Sequence, residues 1–134
     1  PYPIKSNTYD YILANHVLEH LKDPEDAIWE LCRIAKPNAI LQINVPHFNS
    51  EGAFCLGHRN FWNETSFIHL ETPDGNWNPI RDCKLKIIGL KIIPSIFGKL
   101  IPTYWLRRKV SLLLRGVYKH MEVKLKIIKN SHQR

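Results

Sequence analysis

His16-x-x-Glu19-His20 gathers two imidazoles and a carboxylate within five positions. This is the inverted order of a zinc-hydrolysis motif, which needs both histidines on one helix face and a third ligand from downstream. Here the five residues fall between a strand end and a helix that begins only at Asp23, so the sequence assigns no metal ligand set. The plainer reading packs Val17, Leu18 and Leu21 inward and lets Glu19 and His20 hydrogen-bond near the helix start. A second group, His47, His58 and Arg59, lies in polar stretches with Phe48, Phe61 and Trp62. A histidine there suits a general base at neutral pH, or else is hydrogen-bonded or solvated like most loop histidines. The aromatics read as loop anchors or as a stacking surface for a substrate.

These residues hang on a strand–helix–strand unit. Tyr9 to Ala14 is a short apolar run behind Asp10 and reads as a buried strand. Asp23-Pro24-Glu25-Asp26 starts a helix, with an N-cap acceptor, proline in the first turn and acids at the positive end of the dipole. Ala27, Ile28, Leu31, Cys32 and Ile34 or Ala35 follow at helical spacing. Lys36-Pro37-Asn38 stops the helix, with Asn38 suited to a left-handed residue. Ala39 to Val45, closed by Pro46, reads as a second buried strand. The unit is a βαβ crossover, hence a parallel pair. His47 then follows the C-terminal end of a parallel strand, where open α/β sheets place their ligands.

Beyond it, Ser66-Phe67-Ile68 reads as a short helical or turn segment, 71–83 as loop and Leu85 to Ile93 as a strand. Tyr104 to Met121 is predicted as a helix with Leu106, Val110, Leu113, Val117 and Met121 on one face, and the simplest expectation packs it on the sheet. Glu122 to Lys129 alternates as a half-solvated antiparallel strand, and 130–134 is a loose tail.

Charge is uneven: residues 1–79 carry five Lys/Arg against ten Asp/Glu, and residues 80–134 fourteen against two. The basic half suits a solvated face, an anionic substrate or an anionic membrane surface. The segment 104–121, with Tyr104, Trp105 and the Arg107-Arg108-Lys109 cluster, is the part expected at a membrane surface, and its charges exclude a bilayer span. No nucleic-acid partner is expected, since nothing beyond charge supports one. Cys32, Cys55 and Cys83 form no CxxC pair and are odd in number, which points to a reducing, cytoplasmic setting. At 134 residues the chain is at most one domain.

The run YDYILANHVLEHLKDPEDAIWELCRIAKPNAILQINVPH resembles the middle of class I S-adenosylmethionine-dependent methyltransferases, of the type 11-like kind that act on small molecules. VPHFNSEGAF…HRNFW is similar to a segment that follows the fifth strand in a subset of them. Two departures stand out: KPNA replaces the usual KPGG, and the glycine-rich GxGxG loop is absent, as are the acidic residues after the family's second and third strands.

The resemblance implies an α/β fold, the C-terminal half of a Rossmann-like methyltransferase domain. Its sheet keeps strands 4-5-7-6, is mostly parallel in the family and has its last strand antiparallel, with residues 94–121 a helical insertion. It implies S-adenosylmethionine as methyl donor and a small-molecule acceptor. Ala14, Asn15 and His16 would border the methionyl part of the cofactor. Phe48, Arg59 and Phe61 would stand on the acceptor side, with His47 or His58 as the base. Residues 1–134 would then be a fragment, inactive alone, with the first strand an exposed apolar edge prone to self-association. A genuine short protein is the alternative. A non-catalytic methyltransferase-like module, acting through that edge or the basic segment, and a peripheral membrane-binding protein are the rival functions.

Overall fold

The structure, a computed structural model, describes residues 2–71 and 83–129. The loop expected over 71–83, apart from its two end residues, and the tail 130–134 lie outside the described residues. Four strands form one sheet: β1 (Tyr9–Asn15), β2 (Ala35–Pro46), β3 (Cys83–Pro94) and β4 (Tyr118–Lys129), in the order β1-β2-β4-β3. β1 and β2 are parallel, and β4 runs antiparallel to both β2 and β3. That is the order and direction the family resemblance implies, with β1 at the edge.

The first crossover is helix α1 (Pro24–Ile34), which starts where the acidic cluster predicts. Asp23 holds the N-cap position, but its side chain makes no cap hydrogen bond; its carbonyl accepts from Ala27. Ile28, Trp29 and Cys32 are buried, so Trp29 joins the face that spacing alone assigned to Ile28, Leu31 and Cys32. β2 begins at Ala35, earlier than expected. Ala35 pairs with Tyr9, an excursion over 36–39 interrupts the register, and pairing resumes at Tyr11 with Ile40. Asn38, at φ 66°, supplies the left-handed residue of that excursion.

The core lies on one face of the sheet. Leu41, Ile43 and Val45 on β2 and Met121, Val123, Leu125 and Ile127 on β4 are all fully buried. They share one cluster with Ile28, Trp29 and Cys32 of α1 and with Phe67 and Leu70 of α2 (Glu64–Glu71). The period-2 alternation sends Gln42, Asn44, Glu122, Lys124 and Lys126 to the other face, which is polar and partly solvated. α2 is longer than the expected 66–68 turn because Asn63 and Ser66 cap it reciprocally: Ser66 N–H donates to Asn63 Oδ1 (3.0 Å) and Asn63 N–H to Ser66 Oγ (3.2 Å).

The largest departure is at the basic helix. α4 spans Tyr104–Leu113, not Tyr104–Met121, and Tyr118 to Met121 belong to β4. Leu113, Val117 and Met121 are four apart, which satisfies a helix, but Met121 equally satisfies the alternation of β4 and is buried in it, while Val117 is buried just before its first residue. Gly116, at φ 78°, makes the break. The expected packing of this helix on the sheet is also corrected: none of the residues of α4 is buried. Short helix α3 (Ile96–Lys99) precedes it, capped by Ser95, whose oxygen accepts from Gly98 N–H at 2.9 Å.

Candidate functional site

The parallel β1–β2 pair ends in two adjacent connections, and the residues singled out by sequence gather there. Ala14 is buried at the end of β1, and Asn15 and His16 emerge from it exposed. His16 is left-handed at φ 52°, and its N–H donates to the Asn44 carbonyl at 2.9 Å. Asn44 Nδ2 donates to Asn15 Oδ1 at 2.9 Å, fixing the strand ends side by side. The chain then turns through a short 3-10 segment, Leu18–His20, in which Leu18 and Glu19 are buried. Glu19 Oε1 lies 3.1 Å from His16 Nδ1.

The second connection leaves β2 at His47 and returns at Trp62. The two positions bridge in parallel, and Phe48 N–H donates to the Trp62 carbonyl at 2.8 Å, so the segment is a closed loop. Trp62 is a core residue stacked on Phe67, with ring centroids 5.3 Å apart. The loop is tied to the first connection: Arg59 N–H (2.7 Å) and Asn60 N–H (3.3 Å) both donate to the Glu19 carbonyl, and Asn60 Nδ2 donates to the Leu21 carbonyl at 2.7 Å. His58 is thereby set against Glu19 and His20, with the His20 and His58 rings 4.6 Å apart in a T-shape. Phe48, Arg59 and Phe61 are exposed, and Phe61 lies 4.8 Å from Phe54, over which Arg115 sits at 3.9 Å.

His47 is only 2% exposed. Its Nδ1 accepts from Asn49 N–H at 3.1 Å, which places the proton on Nε2. Nε2 lies 3.5 Å from Glu64 Oε2, a charge contact longer than a normal hydrogen bond. This His47 contact holds the Glu64 carboxyl below the usual range, against the opposing effect of burial. Tyr118 packs edge-on to His47 at 5.0 Å, and burial, then the nearby Tyr104 and Glu64, push its phenol up. His47 is therefore enclosed by the fold, whereas His58 is half-buried at the loop rim.

Residues 1–43 match the sequence profile of a family described as a methyltransferase domain. No curated protein matches the chain. Solved structures share its fold. The cyclase SpnF is 15% identical with a TM-score of 0.62, covering 97% of this chain and 53% of its own. The YcgJ protein of Bacillus subtilis is 11% identical with a TM-score of 0.59, covering 98% and 68%. CrArsM, an arsenic(III) S-adenosylmethionine methyltransferase from Chlamydomonas reinhardtii, is 13% identical with a TM-score of 0.51, covering 98% and 41%. The chain thus spans about half the length of the first of these. At such identities the likeness is one of fold. The chain therefore shares its fold with these solved structures, and its first third, which holds β1, α1 and the start of β2, matches the methyltransferase-domain profile.

Proposed function

We propose that this chain forms the acceptor-side half of an S-adenosylmethionine-dependent methyltransferase acting on a small molecule. The observation that carries the reading is the position of Ala14, Asn15 and His16. They stand at the open end of a parallel strand, inside the segment that matches a methyltransferase domain. The residues fit the methionyl end of the cofactor: Ala14 is small, and Asn15 and His16 are exposed at the strand tip while their backbone is fixed by Asn44. When bound, S-adenosylmethionine supplies a sulfonium methyl for in-line displacement by an acceptor nucleophile, leaving S-adenosylhomocysteine.

The chain's own part is alignment. The closed loop 47–62 offers Phe48, Arg59 and Phe61 beside the strand ends. Of the two histidines, His47 holds the loop and is shut off from an acceptor, so His58 is the one open to the role of base. Contacts to the ribose and adenine come, on this reading, from residues outside this sequence, and further strands of the sheet extend the exposed β1 edge. Pairing of two copies along that edge is the alternative, and the oligomeric state in solution separates the two. Because SpnF, a cyclase, shares the fold, methyl transfer is tested directly, by cofactor binding and by transfer of a labelled methyl group.

One observation favours a second, compatible reading, peripheral contact with an anionic membrane. Ile96 of α3, Leu100 just after it, and Trp105, Leu112 and Leu113 of α4 are exposed, beside the basic Arg108 and Lys109. No helix among the described residues is long and apolar enough to cross a membrane. Co-sedimentation with liposomes, with and without anionic lipid, tests this contact.

A further inference from the structure

We infer that Glu19, His20 and His58 form a binding site for a single divalent transition-metal ion of the zinc class. The three side chains come from two connections brought together by the fold, and one ligand atom of each lies within 4.8 Å of the others. Two imidazoles and a carboxylate are the borderline donor set that such ions prefer, with a coordination position left for water or another ligand.

The second observation is the state of the donors. Glu19 is only 1% exposed, and its Oε2 is buried with no hydrogen-bond partner among the described residues. A buried carboxylate oxygen left without a partner is costly, and a cation is the partner of highest worth. Its other oxygen, Oε1, is held by His16 Nδ1 at 3.1 Å. The rings are oriented in the same manner: His20 Nδ1 lies 3.3 Å from the Gly57 carbonyl, and His58 Nδ1 3.3 Å from the Ala53 carbonyl. A carbonyl only accepts, so each Nδ1 carries the proton and each Nε2 keeps its lone pair. Each donor thus has one atom fixed by the surrounding structure and one lone pair left over, the pattern of metal ligands with outer partners.

The inference does not rest on methyl transfer. A bound ion would staple the 57–60 turn to the 3-10 segment after β1, beside the Arg59 and Asn60 bonds to Glu19. With the ion bound His58 is a ligand, so its role as a base belongs to the ion-free chain.

The test is isothermal titration of the full chain with zinc against a competing chelator, with cobalt(II) absorption as the readout of coordination. One equivalent is expected to bind, raise the melting temperature and give visible bands of nitrogen–oxygen coordination. His58→Ala and Glu19→Gln are expected to weaken binding by on the order of 100-fold or more, and His16→Gln, which frees the outer oxygen, by roughly tenfold. Cys55→Ser and His69→Ala retain full binding. His58 is in a loop and half-buried, so its variant keeps the claim testable if Glu19→Gln does not fold. Absence of stoichiometric zinc binding by the folded chain, or binding unchanged in His58→Ala, overturns the inference.

Discussion

The side-chain oxygen of Asn49 accepts from the backbone N–H of Val117 at 2.9 Å, joining the loop after β2 to the start of β4. The same oxygen takes Tyr118 N–H at 3.2 Å, and the amide nitrogen donates to the carbonyls of Ser111 (3.0 Å) and Leu114 (2.8 Å) at the end of α4. One buried side chain thus ends a helix, starts a strand and anchors the loop after β2. Replacing Asn49 with Ala leaves the buried Val117 and Tyr118 amides without partners. A loss of about 2–4 kcal/mol is expected in urea denaturation. Asn49→Asp keeps the acceptor but sets a buried carboxylate oxygen against the Ser111 and Leu114 carbonyls, so a loss at least as large is expected.

Two glycines in the same region separate steric from backbone cost. A Cβ on Gly98 would stand 1.9 Å from the Val117 carbonyl oxygen, so Gly98→Ala must push α3 off the start of β4. Gly116, at φ 78°, has open space around it, so Gly116→Ala pays only for the left-handed backbone, about 1–2 kcal/mol. Gly98→Ala is expected to lower the denaturation midpoint more than Gly116→Ala. Equal effects would show that α3 yields freely.

Acid stability should report Glu30. Arg33 binds its carboxylate through Nε (2.9 Å) and Nη2 (2.7 Å) and holds its pKa at about 2, against an ordinary 4.5. A depressed carboxylate stabilises the fold above its unfolded pKa, and that contribution fades as pH falls from about 4.5 towards 2. The melting temperature of the native chain should therefore fall faster across this window than that of Glu30→Gln. The two differ most near neutral pH, and thermal melts at pH 7 and pH 3 check this. Both side chains are partly exposed, so added salt should shrink the difference.

Membrane contact through α4 predicts sedimentation with anionic but not zwitterionic liposomes. Replacing Arg108 and Lys109 with Ala removes about 1 kcal/mol of attraction each. Leu113→Glu places a charge on the most exposed apolar residue of α4 and should abolish binding without unfolding the chain. Arg107 is unsuited to this test, because its Nε bonds the Gly98 and Ile101 carbonyls and locks α3 to α4.

The β1–α1–β2 unit was legible because its signals are local: two apolar runs and an acidic proline-bearing helix start; Asn38 is left-handed as expected, but within β2 and not at the helix end, which falls at Ile34. The sheet order followed from the resemblance. The end of α4 was not legible, because Met121 fits both periods and Gly116 is a single residue. What decides it, Asn49, lies more than sixty positions away in sequence. The site was half legible. The H-x-x-E-H spacing flagged Glu19 and His20, but the partner the fold supplies is His58, delivered by a loop whose closure at Trp62 leaves no mark in sequence. His47 reads as a base because it follows a strand end; its burial and the bond from Asn49 N–H, neither legible in sequence, are what set it apart from His58.

The most direct test of the central claim is calorimetric titration of S-adenosylmethionine and S-adenosylhomocysteine into two proteins, residues 1–134 and the same chain extended upstream from its gene. If these residues are the acceptor-side half of a methyltransferase, the extended chain binds both ligands and residues 1–134 bind neither measurably. Micromolar binding to residues 1–134 alone would contradict the account, because Ala14, Asn15 and His16 would then not be the cofactor's only contacts here. Absence of binding to either protein would contradict methyl transfer itself.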